Sequence, residues 1–154
     1  MYLVDTNVVS AGAPTNVATA SGLVAWMDRT SASLYLSVIT IAEIEAGIAK
    51  CRRQGAHRKA DRLVEWLTIL LHLYGTRIVP IDLDVARHIA RLIDLTREQG
   101  REPDLADLAI AATALCHGWT VLTRNLRHFN PLGVPALDPF AALPADPPRQ
   151  TLDH

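Results

Sequence analysis

The chain has 154 residues, 49% of them hydrophobic and 20% charged, with a formal net charge of -1. That balance fits one globular domain with its own core, and it excludes a disordered chain. The two cysteines, Cys51 and Cys116, form no Cys-x-x-Cys pair, which excludes a zinc ribbon and a disulfide scaffold.

No uninterrupted apolar stretch reaches about 18 residues, so no membrane span is expected. No basic region precedes the first apolar run, so no secretory signal is expected either. The expected location is cytoplasmic, with reduced thiols.

Tyr2-Leu3-Val4 is short, apolar and bounded by Asp5-Thr6-Asn7, the pattern of a buried parallel strand. Residues 17–29 carry Val17, Leu23, Val24, Trp26 and Met27 and predict a helix, with Gly22 counting against it. Residues 35–38 read as a second strand. Thr40 then caps a helix running to Arg53, with Ile41, Ile44 and Ile48 on one face. Gln54-Gly55 breaks it. A second helix over 57–73 puts Leu63, Leu67, Leu70 and Leu71 on a stripe, giving a helical hairpin that Gly75 closes.

Residues 77–81 predict a third strand, with Pro80 tolerated near its end. An amphipathic helix over 84–99 turns Val85, Ile89, Leu92 and Ile93 inward and stops at Gly100. Pro103 introduces a helix over 104–114, which passes through His117-Gly118 into a strand at 119–123. A short last strand is expected near 134–137. Residues 141–154 offer no core and read as a flexible tail after a domain spanning 1–140. Strands alternating with helices indicate an α/β layer fold with a mostly parallel sheet.

In such a sheet the carboxyl ends of the strands share one rim, and the N-termini of the following helices lie there too. Asp5 ends the first strand, and Glu43 opens the helix after the second. Asp107 sits in the first turn of its helix, and Asn125 follows the strand after it. All four are expected to meet. Taken singly, each acid has an ordinary explanation. Thr40-Ile41-Ala42-Glu43 is a capping box, Asp104 to Asp107 is the same device with Asp in place of Glu, and Asp5-Thr6-Asn7 is an Asx turn. Three unrelated caps need not converge, however. Close carboxylates repel unless a cation or a proton separates them. Three carboxylates and an amide around one crevice suit a hard divalent cation and metal-assisted phosphodiester hydrolysis.

Neighbouring residues take lesser parts. Thr6 and Asn7 are expected to orient Asp5, and Asp104 to cap its helix. Thr123 bonds either a site acid or the substrate, unless it is an ordinary strand-end hydroxyl. Lys50, Arg52, Arg53, His57, Arg58, Lys59 and Arg62 form either a solvated helical face or a phosphate-binding patch. The six histidines show no ligand spacing, and Trp26, Trp66 and Trp119 are expected in the core.

Four blocks together resemble the PIN-domain ribonucleases, specifically the VapC/FitB-type toxins of bacterial toxin–antitoxin pairs. They are Tyr2-Leu3-Val4-Asp5-Thr6-Asn7-Val8-Val9-Ser10, Leu36-Ser37-Val38-Ile39-Thr40-Ile41-Ala42-Glu43, Asp107-Leu108-Ala109-Ile110-Ala111-Ala112-Thr113-Ala114 and Thr120-Val121-Leu122-Thr123-Arg124-Asn125. They stand in the family's order and spacing over about residues 1–140. The resemblance implies a PIN-like three-layer α/β fold with a central five-stranded parallel sheet, Mg²⁺ or Mn²⁺ dependence and RNA cleavage. It also implies a homodimer and a cognate VapB-like antitoxin. Asp5, Glu43 and Asp107 match the family's metal-site acids. Asn125 falls where many members carry a fourth Asp; an amide keeps a carbonyl and loses a charge, which leaves a second metal open. Two other readings stand beside this one. A non-catalytic RNA- or protein-binding PIN-like module would explain the missing fourth acid. Aspartyl-phosphate chemistry of the haloacid-dehalogenase-like kind would want a second Asp where this chain has Asn7.

Overall fold

The computed structural model describes residues 1–15 and 21–146. Its strands are Tyr2–Val4 (β1), Leu34–Ser37 (β2), Ile78–Val79 (β3), Thr120–Leu122 (β4) and Ala136–Leu137 (β5), in one sheet of order β3-β2-β1-β4-β5. Every pairing is parallel. Central β1 is covered on both faces, so it needs apolar residues in succession, and Leu3 and Val4 are fully buried.

Strand alternation sorts the core into two layers. Val4, Leu34, Leu36 and Leu122 pack with Ile44, Ile48, Leu67 and Tyr74 on one face. Leu3, Val79 and Val121 pack with Val85, Leu92, Leu108 and Ile110 on the other. The helices supplying these layers are Thr6–Val9 (α1), Ser21–Arg29 (α2), Val38–Arg53 (α3), His57–Tyr74 (α4), Leu83–Glu98 (α5), Leu105–His117 (α6) and Leu126–Phe129 (α7). In α6 every residue from Leu108 to Ala114 is buried. The four alanines of that stretch let the helix lie close against the sheet, where an added methylene would cost about 1–3 kcal/mol. Gly118 ends α6 at φ 67°, a left-handed cap that turns the chain straight into β4. That reversal puts the start of α6, with Asp107, at the rim where β1 and β4 end.

Some boundaries differ from the sequence reading. Ser37, not Thr40, caps α3: its hydroxyl accepts from the Ile39 N–H at 3.1 Å, from an extended backbone that Thr40 lacks. Thr40 is instead in the first helical turn, fully buried, with its hydroxyl unpartnered. No capping box forms, and Glu43 is free to reach elsewhere. On α4 the buried stripe runs Ala60, Leu67, Leu70 and Tyr74, while Leu71 is 40% exposed because a 3.6-residue turn carries it off that face. The third strand is only Ile78–Val79, preceded by a 3₁₀ turn and followed by Pro80, which has no N–H to donate. Asp5 caps a four-residue helix instead of an isolated turn. Residues 17–20 of the expected first helix, and 147–154 of the expected tail, lie outside the described residues. Among the described residues no helix is long and apolar enough to cross a membrane.

Candidate active site

Asp5 leaves the end of β1 with its side chain folded under the start of α1, only 4% exposed. Oδ1 accepts the Thr6 N–H at 2.7 Å. Oδ2 accepts from Asn7 Nδ2 and from the Thr123 hydroxyl, each at 2.7 Å. Asn7 also ties the two central strands together: its Oδ1 accepts the Arg124 N–H at 3.1 Å. Burial raises the Asp5 pKa, the bonds from Thr123 and Thr6 pull it down, and the negative charge of Asp107 raises it again; the net shift is upward.

Glu43 lies in the second turn of α3 at the mouth of the same cleft, and the Thr6 hydroxyl donates to its Oε2. Partial burial raises its pKa, the Thr6 bond opposes this, and repulsion from Asp5, Asp107 and Asp104 adds to the rise. Asp107 sits in the first turn of α6 with 17% of its side chain exposed, and His128 Nδ1 lies 2.8 Å from its Oδ2. Asp104 is the α6 cap, accepting the Ala106 N–H at 3.1 Å.

The three acids therefore share one electrostatic neighbourhood on the carboxyl rim of the sheet. Among the described residues, however, no three His, Cys, Asp or Glu side chains stand close enough to hold a metal ion as they are. Asn125 reaches this neighbourhood through its backbone: its N–H donates to the Thr123 hydroxyl at 3.0 Å, while its exposed side chain makes no capping bond.

Two hollows flank the acids. One, of about 310 Å³, runs from Thr6 and Glu43 to Lys59 and Trp66 between α3 and α4. The other, of about 230 Å³, is lined by Asp107, His128, Arg101 and Thr96. The basic side chains of the α3–α4 hairpin are all exposed, and Lys59 is the member of that group that lines the first hollow. A third cavity, between Val9, Met27 and Tyr74, lies on another side of the core and holds none of the site acids.

The model of the PIN domain family matches residues 2–131. The chain belongs to the PIN-domain family. Toxin FitB of Neisseria gonorrhoeae is 33% identical to it over 91% of this chain and 99% of that protein. The VapC ribonuclease Y4jK of Sinorhizobium fredii is 34% identical over 91% of this chain and 98% of its own length. The crystal structure of FitAcB from Neisseria gonorrhoeae superposes with a TM-score of 0.78 at 36% identity, covering 91% of this chain and 99% of that one.

This PIN domain brings Asp5, Glu43 and Asp107 onto one rim, with Thr6 and Asn7 as the orienting groups and Thr123 bonded to an acid. His128 had no forewarning in histidine spacing. The available signal was different: one short helical turn after β4 returns residue 128 to the rim that Thr123 leaves. Trp26 is buried as expected, whereas Trp66 is half-buried and shows one side to the Lys59 hollow.

Proposed function

We propose that this PIN domain is a divalent-metal-dependent endoribonuclease, the toxin of a toxin–antitoxin pair, with its catalytic centre at Asp5, Glu43 and Asp107 and with Asn125 assisting. Its relatives carry the names toxin and VapC ribonuclease over nearly their whole lengths. The observation that carries the assignment of the site is geometric: Thr6 donates to Asp5 Oδ1 through its N–H and to Glu43 Oε2 through its hydroxyl, and the charge of Asp107 at the same rim adds repulsion to both acids. A cation relieves that repulsion, and carboxylate oxygens are the donors that Mg²⁺ and Mn²⁺ prefer. Asp5, Glu43 and Asp107 would hold it. When bound, such an ion acidifies water and neutralises charge on a phosphate.

The chain's own residues do the positioning. Thr123, Asn7 and the Thr6 N–H fix both oxygens of Asp5 in one orientation. The Thr6 hydroxyl restrains Glu43. The hollow from Glu43 to Lys59 and Trp66 gives an RNA strand a cation for a phosphate and an aromatic face for a base. A protein antitoxin, a homodimer and a cytoplasmic location belong to the same reading. The amide at Asn125 favours a second one, a module that binds RNA or protein without cleaving it.

One assay separates the two. RNA cleavage by the purified protein should require Mg²⁺ or Mn²⁺ and stop with a chelator. Asp5→Asn, nearly isosteric, should keep the fold and lose more than about 100-fold in rate, since even outer-shell losses at metal sites cost about 10–100-fold. Undiminished cleavage by a well-folded variant would sink the assignment of the site.

A further inference from the structure

We propose that His128 is a positioning residue that fixes Asp107 relative to Asp5, through a hydrogen-bonded relay along the segment from Thr123 to His128. The inference rests on the site proposed above and adds a residue outside the four expected there.

The relay can be followed atom by atom. Thr123 Oγ1 donates to Asp5 Oδ2 at 2.7 Å and accepts the Asn125 N–H at 3.0 Å. The Asn125 carbonyl accepts the His128 N–H at 2.8 Å. His128 Nδ1 then lies 2.8 Å from Asp107 Oδ2. Because an ionised carboxylate only accepts, the proposed relay needs the proton of that last bond on Nδ1. Both ends of the relay are therefore site acids, carried by elements far apart in sequence.

A histidine–carboxylate pair on an open surface contributes little. This one differs in two respects. Asp107 is mostly shielded, with 17% of its side chain exposed, and it faces the negative Asp5 and Glu43. The backbone that carries His128 is also anchored, because the next residue, Phe129, is fully buried and Leu132 is 3% exposed. Asp107 is thus tied to a fixed point that is itself tied to Asp5. Outer partners of this kind orient metal-ligating groups. Asn125 takes part through its peptide group, so a side-chain change there leaves the relay intact.

The test uses the full-length protein and three variants, His128→Ala, His128→Gln and His128→Asn. An Asn amide nitrogen stands at the same bond count as Nδ1, whereas a Gln amide nitrogen stands at that of Nε2. The first readout is the apparent Mn²⁺ dissociation constant, taken from how the melting temperature rises with Mn²⁺ concentration, with metal-free melting as the folding control. It should rise about 10–100-fold for Ala and Gln and stay close to wild type for Asn. Wild-type Mn²⁺ response in His128→Ala, or an Asn variant as weak as Ala, overturns the proposal. If Ala does not fold, the Gln–Asn contrast decides.

A second readout needs no metal. Ring ¹⁵N shifts of His128 at about pH 8, where an ordinary imidazole is neutral, should report a proton held at Nδ1, and Asp107→Ala, which removes the acceptor, should release it. A ring exchanging freely between tautomers in the wild type overturns the relay. Absence of any Mn²⁺ response in the wild type, with the Nδ1 signature present, instead counts against the metal reading alone.

Discussion

Replacing Thr123 with valine keeps the shape of a fully buried side chain and removes one oxygen. That oxygen donates to Asp5 Oδ2 at 2.7 Å and accepts from the Asn125 N–H at 3.0 Å and from Asn7 Nδ2 at 3.3 Å. A hydrogen bond to an ionised group is worth about 1.5–3 kcal/mol. Asn125 is exposed, so water can replace the partner its N–H loses, and Asn7 still holds Asp5. The expected loss is therefore about 2 kcal/mol at neutral pH, a fall in Tm of about 4–8 °C for a domain of this size. The loss should also depend on pH. The Thr123 bond lowers the folded-state pKa of Asp5, so its contribution is present above that pKa and fades as pH falls through it. Near pH 3.8 the folded protein, with Asp5 raised above that value, is mostly protonated there. A neutral bond is about half as strong, so the difference between wild type and variant should roughly halve. Thermal and urea melts of the metal-free proteins at the two pH values measure this. An equal loss at both, or none at neutral pH, refutes the account of how Asp5 is held.

The metal-free wild type should itself lose stability as pH rises. Asp5 and Glu43 both have folded-state pKa values raised, chiefly by burial, above the ordinary 3.8 and 4.5. The folded state then binds more protons than the unfolded one between each ordinary value and its raised counterpart. That contribution is complete below the ordinary value and gone above the raised one. Melting across this interval, repeated with Mg²⁺ or Mn²⁺ at a hundredfold excess over its dissociation constant, should show a decline that the ion reverses by about 2.7 kcal/mol at neutral pH; no response to the ion contradicts the converging-acid model. Asn125→Ala should slow RNA cleavage less than Glu43→Ala or Asp107→Ala, and Asn125→Asp should lower the metal concentration for half-maximal cleavage. Equal severity of the alanine variants in a rate assay would make Asn125 a primary group.

Where periodicity and strand-end logic applied, the sequence was a good guide. Asp5, Glu43 and Asp107 could be placed on one rim because a parallel sheet with tight helix–strand turns leaves few other arrangements. The capping residue of α3 was not legible. Ser37 and Thr40 are both good caps by type, and the choice turns on where β2 stops, which pairing with β3 determines. Leu71 and Tyr74 exchanged places for a similar reason: both fit an apolar stripe, and only the packing of α4 on Ile44 and Ile48 selects the face. His128 was hidden because its partner lies 21 residues away, across a helix, a turn and a strand. No local pattern encodes such a contact.

The central position of β1 has a consequence for synthesis. Its partner on one side, β4, arrives late, and the Asp5–Thr123 bond closes a gap of 118 residues. At about 5–20 residues per second, roughly 6–24 s separate the emergence of the two ends from the ribosome. Throughout that interval Asp5 has neither the strand that seats it nor the hydroxyl that orients it. Contacts of such long range also slow folding, because the intervening loop must close before they form. A chain that ends before β4 therefore carries Asp5 without the geometry that would join it to the other acids. On the proposed reading as a ribonuclease, the topology itself delays the hazard until β4 has been made.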